Sequence, residues 1–241
     1  VMLLIREPVR RPSESKIEGA TNTEELIAFY KANSKTILFH HIGNLSLLMT
    51  GFAFVFWSIS FFVRVHDVDA AQASQTFGWI YIFFGPLGPL LIAYLAKHLS
   101  QKGHYDANMT AGMLGGIVTI PTILLIQMAP SPLWAFIFYA PALAAVNSPF
   151  GIAAGALPVI TPPHLRARVA AVFMLTGAIG MMFGPPLAGA FNEFIFPGAD
   201  GVRYSMITMT CFFGFIGILF LHLGRKYYAL SMKNAESWDG A

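Results

Sequence analysis

Charge in this chain is confined to short joints between long uncharged stretches. Ala107 to Leu165 is 59 consecutive residues without Asp, Glu, Lys or Arg. Thr36–Val63, Ala70–Ala96, Val169–Asn192 and Tyr204–Gly224 are equally clean. A helix at the surface of a water-soluble core carries a polar face, and these runs have none. Each exceeds the roughly 20 residues that cross a hydrocarbon layer of about 30 Å. The longest run must fold back once, and Ala129, Pro130, Ser131 and Pro132 break it. The pattern predicts an all-α, polytopic membrane protein with six transmembrane helices.

Composition agrees: 56% hydrophobic, 11% charged and a mean hydropathy of +0.61 belong to a membrane chain. The net charge of +3 therefore points to no nucleic acid, because the basic residues sit beside apolar helices. If the spans alternate from an inner N-terminal arm, the inner side holds Arg6, Arg10, Arg11, Lys16, Lys31, Lys35, Lys97, Lys102, Arg166, Arg168, Arg225, Lys226 and Lys233. Only Arg64 and Arg203 fall outside. Such asymmetry places the basic side, and both ends of this chain, in the cytoplasm. A plasma membrane or bacterial inner membrane is the expected location. Val1–Ile5 is too short and wrongly flanked for a signal peptide, and reads as the end of a preceding helix.

Three regions are expected: 1–35, a linker with an interfacial helix; 36–228, the six-helix bundle; and 229–241, a cytoplasmic tail. The arm over 6–22 and the tail after Tyr228 read as mobile. Thr21 and Glu24 have capping-box spacing, opening a short helix with Leu26, Ile27, Phe29 and Tyr30 on its apolar side. Asp69 and Asp106 stand where helix N-caps are expected. The sixth span should cover about Tyr204–Leu223.

Three spans read as interrupted by Gly and Pro near mid-membrane. The second has Gly85, Pro86, Gly88 and Pro89. The fourth has Pro141, Pro149 and Pro158. The fifth has Gly180, Gly184, Pro185, Pro186 and Gly189. Small residues let backbones approach in lipid, so Gly180 and Gly184 predict a tight crossing; with the prolines they also allow a bend. Interrupted helices around a mid-membrane site are typical of transporters.

No acid or base lies deep in a span, which argues against a charge-lined pore or a voltage sensor. The neutral polar residues are the candidates for a substrate cavity. At 100° per residue His40, Asn44, Gly51 and Ser58 share one face of the first span, with His41 beside them. Trp57 points away, toward lipid or the interface. Asn147, Tyr139, Tyr81 and Thr176 complete the set. Their plainer reading is hydrogen bonding between helices. His40 and His41 diverge on a helix, and no zinc or phosphate-loop motif is present. No metal, cofactor or enzymatic chemistry is indicated.

The joints resemble those of a known family. Ile5, Arg6, Glu7, Pro8, Val9, Arg10 and Arg11 are similar to the end of helix six in spinster-like members of the major facilitator superfamily. Phe39, His40, His41, Ile42 and Gly43 resemble the start of their helix seven. The stretch from Thr161 through Leu165, Arg166 and Arg168 to Ala171 resembles their ten–eleven loop, and Gly180, Gly184 and Pro185 their helix eleven. The resemblance implies the C-terminal half of a transporter working by alternating access against an N-terminal six-helix half. It implies Lys97, Arg166 and Arg168 at the cytoplasmic gate, although Lys97 stands where the family has Asp. It also implies a small organic or amphiphilic substrate, of lysolipid or sphingolipid kind among others, and coupling to an ion such as a proton or sodium. From the residues alone, a complete six-span channel or a membrane scaffold remains the alternative.

Overall fold

The computed structural model describes residues 21–236. Within them are a short helix α1 (Thr21–Ala32) and six helical segments long and apolar enough to cross a membrane. The first span is α2 (Ser34–His66). The second is α3 (Ala70–Phe84) followed by α4 (Leu87–Gln101). The third is α5 (Ala107–Gln127). The fourth is split into α6 (Pro132–Asn147) and α7 (Pro149–Val159). The fifth, α8 (Arg166–Ala190), is entered by a 3-10 turn (Pro163–Leu165) and left by a π-helical turn (Phe191–Ile195). The last is α9 (Gly201–Glu236). Val1–Ile5, expected to end a preceding helix, and the arm up to residue 20 lie outside the described residues.

The breaks follow from proline chemistry. Pro has no N–H and crowds the preceding turn. At Gly85 and Pro86 the second span is interrupted; the N–H of Gly85 still reaches the carbonyl of Tyr81 at 2.9 Å. At Ser148 and Pro149 the fourth span is interrupted, and the N–H of Ser148 turns to the carbonyl of Ala145 at 3.1 Å. Pro185 and Pro186 behave differently. They lie inside α8, which continues through them as one helix.

α2 is the axial helix of the bundle, packed between α8 and α9, while α5 joins α9 to α6 and α4 lies against α5 and α7. Glycines set the α2–α9 distance. A Cβ on Gly43 would stand 2.7 Å from Leu221, and one on Gly217 would stand 2.7 Å from Leu47. Without a hydrophobic drive between helices in lipid, close packing of this kind carries their association.

The two ends of the bundle are packed differently. Around the α2–α3 turn, Phe62 stacks on Phe136 at 4.2 Å and Phe77 on Tyr139 at 4.3 Å, tying α2, α3 and α6. At the other end, where Lys97, Arg166 and Arg225 lie, Phe39 of α2 stacks on Tyr227 of α9 at 5.4 Å, and polar bonds add to the tying. Arg225 Nε donates to Asp106 Oδ2 at 2.6 Å. Asn108 Nδ2 donates to the Tyr228 hydroxyl at 2.7 Å, which donates to the carbonyl of Ala156 at 2.8 Å.

Two differences from the sequence reading concern element ends. Asp69 caps α3 as expected, its Oδ1 accepting from the N–H groups of Ala71 and Gln72. Asp106 occupies the corresponding position before α5 but makes no capping bond to that helix; Arg225 and Thr110 take its carboxylate instead. The last helix runs well past Tyr228, because its continuation is docked: Ser231 and Thr36 share a hydrogen bond of 2.8 Å and Ala235 is buried. In α1, Phe29 is buried against the bundle while Ile27 faces outward.

Candidate substrate groove

The residues that sequence singled out for a cavity divide into two groups. His40, Asn44, Ser58, Tyr139 and Asn147 lie inside the bundle, His40 at 1% exposure and Asn147 at 8%. Asn44 Nδ2 donates to the carbonyl of His40 at 2.9 Å, Ser58 Oγ to that of Phe54 at 2.6 Å, and Asn147 Nδ2 to that of Leu143 at 3.0 Å. The Asn44, Ser58 and Asn147 side chains thus each bond within their own helix, while the Tyr139 hydroxyl meets Ser58 across α6 and α2. The shared face of α2 is real, but at Gly51 it looks onto Val146 of α6 rather than onto open space.

In the second group His41 and Tyr81 lie nearer the surface, while Thr176 is buried. His41 is half-buried, and its Nδ1 shares a 2.5 Å hydrogen bond with Thr176 Oγ1, joining α2 to α8. Both His40 and His41 rings pack on Phe173. Tyr81 is exposed on α3. No group of three His, Cys, Asp or Glu side chains suited to a metal occurs among the described residues.

The glycines of α8 do bring it onto α2. A Cβ on Gly184 would stand 2.6 Å from the carbonyl oxygen of Met49, and one on Gly180 3.1 Å from Leu48. Gly189 faces the Trp57 ring, 2.9 Å from where its Cβ would be. Trp57 is therefore no lipid anchor: its indole N–H donates to the carbonyl of Pro185 at 2.9 Å. In the second span Gly88 is closest of all, a Cβ there falling 1.7 Å from the carbonyl oxygen of Ala144 on α6. Gly151 of α7 likewise meets the carbonyl oxygen of Pro89, at 2.3 Å.

Between α2 and α8 lies an apolar groove of 460 Å³, walled by Phe52, Val55, Phe56, Met181, Met182 and Pro185. Phe52 meets Phe150 of α7 edge to face at 5.8 Å, which extends the wall. Pro185 and Pro186 leave the carbonyls of Met181 and Met182 without their helical donors at the level of this groove. Trp57 and Pro186 also line a wider opening of 750 Å³ with Arg64, Asn192 and Glu193. Arg64 and Glu193 are both exposed, and no ion pair joins them. The π-helical turn places Asn192 and Glu193 at this mouth. An apolar track thus opens onto one cation and one anion. Nothing in the sequence sets Phe52, Met181 or Met182 apart from other apolar residues; the Pro pair was the only signal.

At the basic end, Arg166 Nε donates to the carbonyl of Thr161 at 3.1 Å, bracing its own loop, and Arg168 is exposed. Lys97 lines a separate cavity beside the α4–α5 turn.

No protein-family model matches the sequence, and no curated protein matches it. The helices, their order and their breaks define an integral membrane protein with the fold of one half of a major facilitator transporter. Two solved structures of a bacterial homolog of the human lysosomal transporter Spinster share that fold. The inward-facing, occupied structure superposes with a TM-score of 0.58 at 18% identity, over 83% of this chain and 49% of that one. The inward-facing, unoccupied structure gives 0.61 at 18% identity, over 96% of this chain and 55% of that one. The chain spans about half the length of these transporters.

Proposed function

We propose that this chain is the C-terminal half of a secondary active transporter that works by alternating access against an N-terminal six-helix half. The α2–α8 groove is its share of the substrate path. The observation that carries this reading is the continuity of an apolar groove with a mouth bearing Arg64 and Glu193. A small organic or amphiphilic molecule, lysolipids and sphingolipids included, has matching parts: a chain for the groove and a charged headgroup for the mouth. The tight α2–α8 crossing at Gly180 and Gly184, with Gly189, Pro185 and Pro186 above it, and the breaks at Gly85, Pro86 and Pro149 supply the moving joints. Gly88 and Pro89 fix where the second span rests on the fourth.

The basic end is cytoplasmic on this reading, and Arg166 and Arg168 belong to the gate on that side. His41 and Thr176 are the polar pair nearest the groove's cytoplasmic end. The buried Asn44, Asn147, Ser58, Tyr139 and His40 support the groove from behind, and Tyr81 faces the N-terminal half or lipid. Proton or sodium coupling completes the mechanism, and no enzymatic step is part of it.

The test is reconstitution of the intact protein in liposomes. Uptake of labelled lysophospholipid, a sphingoid base and small organic acids is followed under several pH and sodium gradients. Amphiphile uptake should exceed organic-acid uptake, and Arg64→Gln should slow it about tenfold, the loss of one charge-assisted contact. Gradient-independent leakage of every solute would make the protein a channel, and no flux at all would make it a scaffold.

A further inference from the structure

At the basic end, α4, α5, α7 and α9 enclose a cavity of 310 Å³ remote from the α2–α8 groove. Its polar lining consists of Lys97, Ser100, His104, Tyr105, Asn108 and Tyr228. Its remaining wall is apolar, from Ala93, Ala96, Ile152 and Val159. Gly151 and Gly155 also line it, and the position where a Gly155 Cβ would stand has no atom within 4 Å. The missing side chain is what leaves the cavity open.

The charges around it are one-sided. Lys97 has no carboxylate within ion-pair distance among the described residues. A second cation, Lys233, stands over the Tyr105 ring at 5.3 Å. The nearby acid, Asp106, is already taken by Arg225 Nε at 2.6 Å and by the Thr110 hydroxyl. Asn108 spends one amide N–H on Tyr228 and has a second to offer. A lysine with hydroxyl and amide donors around it suits a group with several acceptor oxygens and a negative charge.

We propose that this cavity binds a phosphate group, and that the phosphate is carried by an anionic membrane lipid. The apolar wall decides for a lipid, because a soluble anion has no use for Ile152 and Val159, whereas the first carbons of an acyl glycerol do. Basic pockets between transmembrane helices on the cytoplasmic side hold lipid headgroups in this way. The inference rests on the chain's being embedded in a membrane, and does not depend on the transport cycle.

The test is native mass spectrometry of the intact, detergent-purified protein with phosphatidylglycerol, phosphatidylcholine or inorganic phosphate. Phosphatidylglycerol should be retained at least tenfold better than phosphatidylcholine. Lys97→Gln and, independently, Gly155→Leu should remove that preference, while Lys226→Gln, outside the cavity, should keep it. Each variant is first checked for monodispersity by size-exclusion chromatography, and the two cavity variants act through different means, charge and space. Competition of millimolar inorganic phosphate with the lipid would support the phosphate site with a soluble anion as its source. Equal retention of both lipids, or undiminished preference in Lys97→Gln and Gly155→Leu, would overturn it. So would a change in transport by Lys97→Gln with lipid retention intact, which would assign Lys97 to a gate contact.

Discussion

The two ends of the bundle are held by different forces. Around the α2–α3 turn the helices meet through stacked rings: Phe62 on Phe136, Phe77 on Tyr139 and Phe54 on Tyr139. At the basic end one ring stack, Phe39 on Tyr227, is joined by Asp106 with Arg225 and by the chain from Asn108 to Tyr228 to Ala156. Ring stacking is broad in angle and tolerates small displacements. Hydrogen bonds weaken steeply with misalignment. The basic end is therefore set in register, while the aromatic end is held together with more latitude. The groove mouth with Arg64 and Glu193 lies toward the aromatic side, where helix ends have room to adjust.

Three substitutions sharpen this contrast, in falling order of effect. Phe62→Ala removes a fully buried ring and should cost about 3 kcal/mol, the low end for such a truncation because lipid rather than water surrounds the bundle. A lowered thermal-unfolding midpoint in detergent checks it; an unchanged midpoint would mean the rings are not what holds that end.

Asp106→Asn should cost about 1 kcal/mol, because Arg225 is about one-third exposed and solvent screens the pair. This loss should depend on pH. Burial works to raise the Asp106 carboxyl, but the Arg225 guanidinium and the Thr110 hydroxyl outweigh it and hold the group below its ordinary value. A carboxylate lowered on folding stabilises the fold above its unfolded pKa, near 3.9, and loses that contribution as pH falls through the folded value. The midpoint difference between the native chain and Asp106→Asn should thus be full at pH 7 and shrink below about pH 4. A difference that grows on acidification would refute the assignment.

Tyr228→Phe is the mildest. It removes one hydroxyl that bridges α5 and α7, and should cost about 0.5 kcal/mol. Amide hydrogen exchange should rise at the adjoining ends of α5 and α7 and stay unchanged near Phe62. Faster exchange at both ends would show that the two closures are not separate.

The six spans were legible because lipid imposes its demand on every residue in a stretch. A charge-free run is therefore a direct imprint of the medium. The Asp69 cap was legible because its partners are two and three residues away. Asp106 was placed correctly at a helix start and assigned the wrong partner. Its real partner, Arg225, is 119 positions distant, and local spacing carries no trace of that. Trp57 fails in the same way, its acceptor lying on a helix 128 residues later. For His40, Asn44 and Ser58 the wheel gave a common face without saying which neighbour covers it. The continuation of α9 past Tyr228 escaped because a charged helix beyond the membrane looks like a tail until its docking residues, Thr36 and Ser231, are seen together.

The interruption at Gly85 and Pro86 divides the second span between two sets of neighbours. α3 is anchored by Phe77 to α2 and α6. Beyond the break, Gly88 is pressed on the Ala144 carbonyl and Pro89 on Gly151 of α7. Those backbone contacts leave no slack, so α4 is fixed to both halves of the fourth span, to α6 through Gly88 and to α7 through Pro89, while α3 is held by its rings. The second span thus grips the fourth on both sides of its break at Ser148 and Pro149, so the two interruptions are keyed to one another.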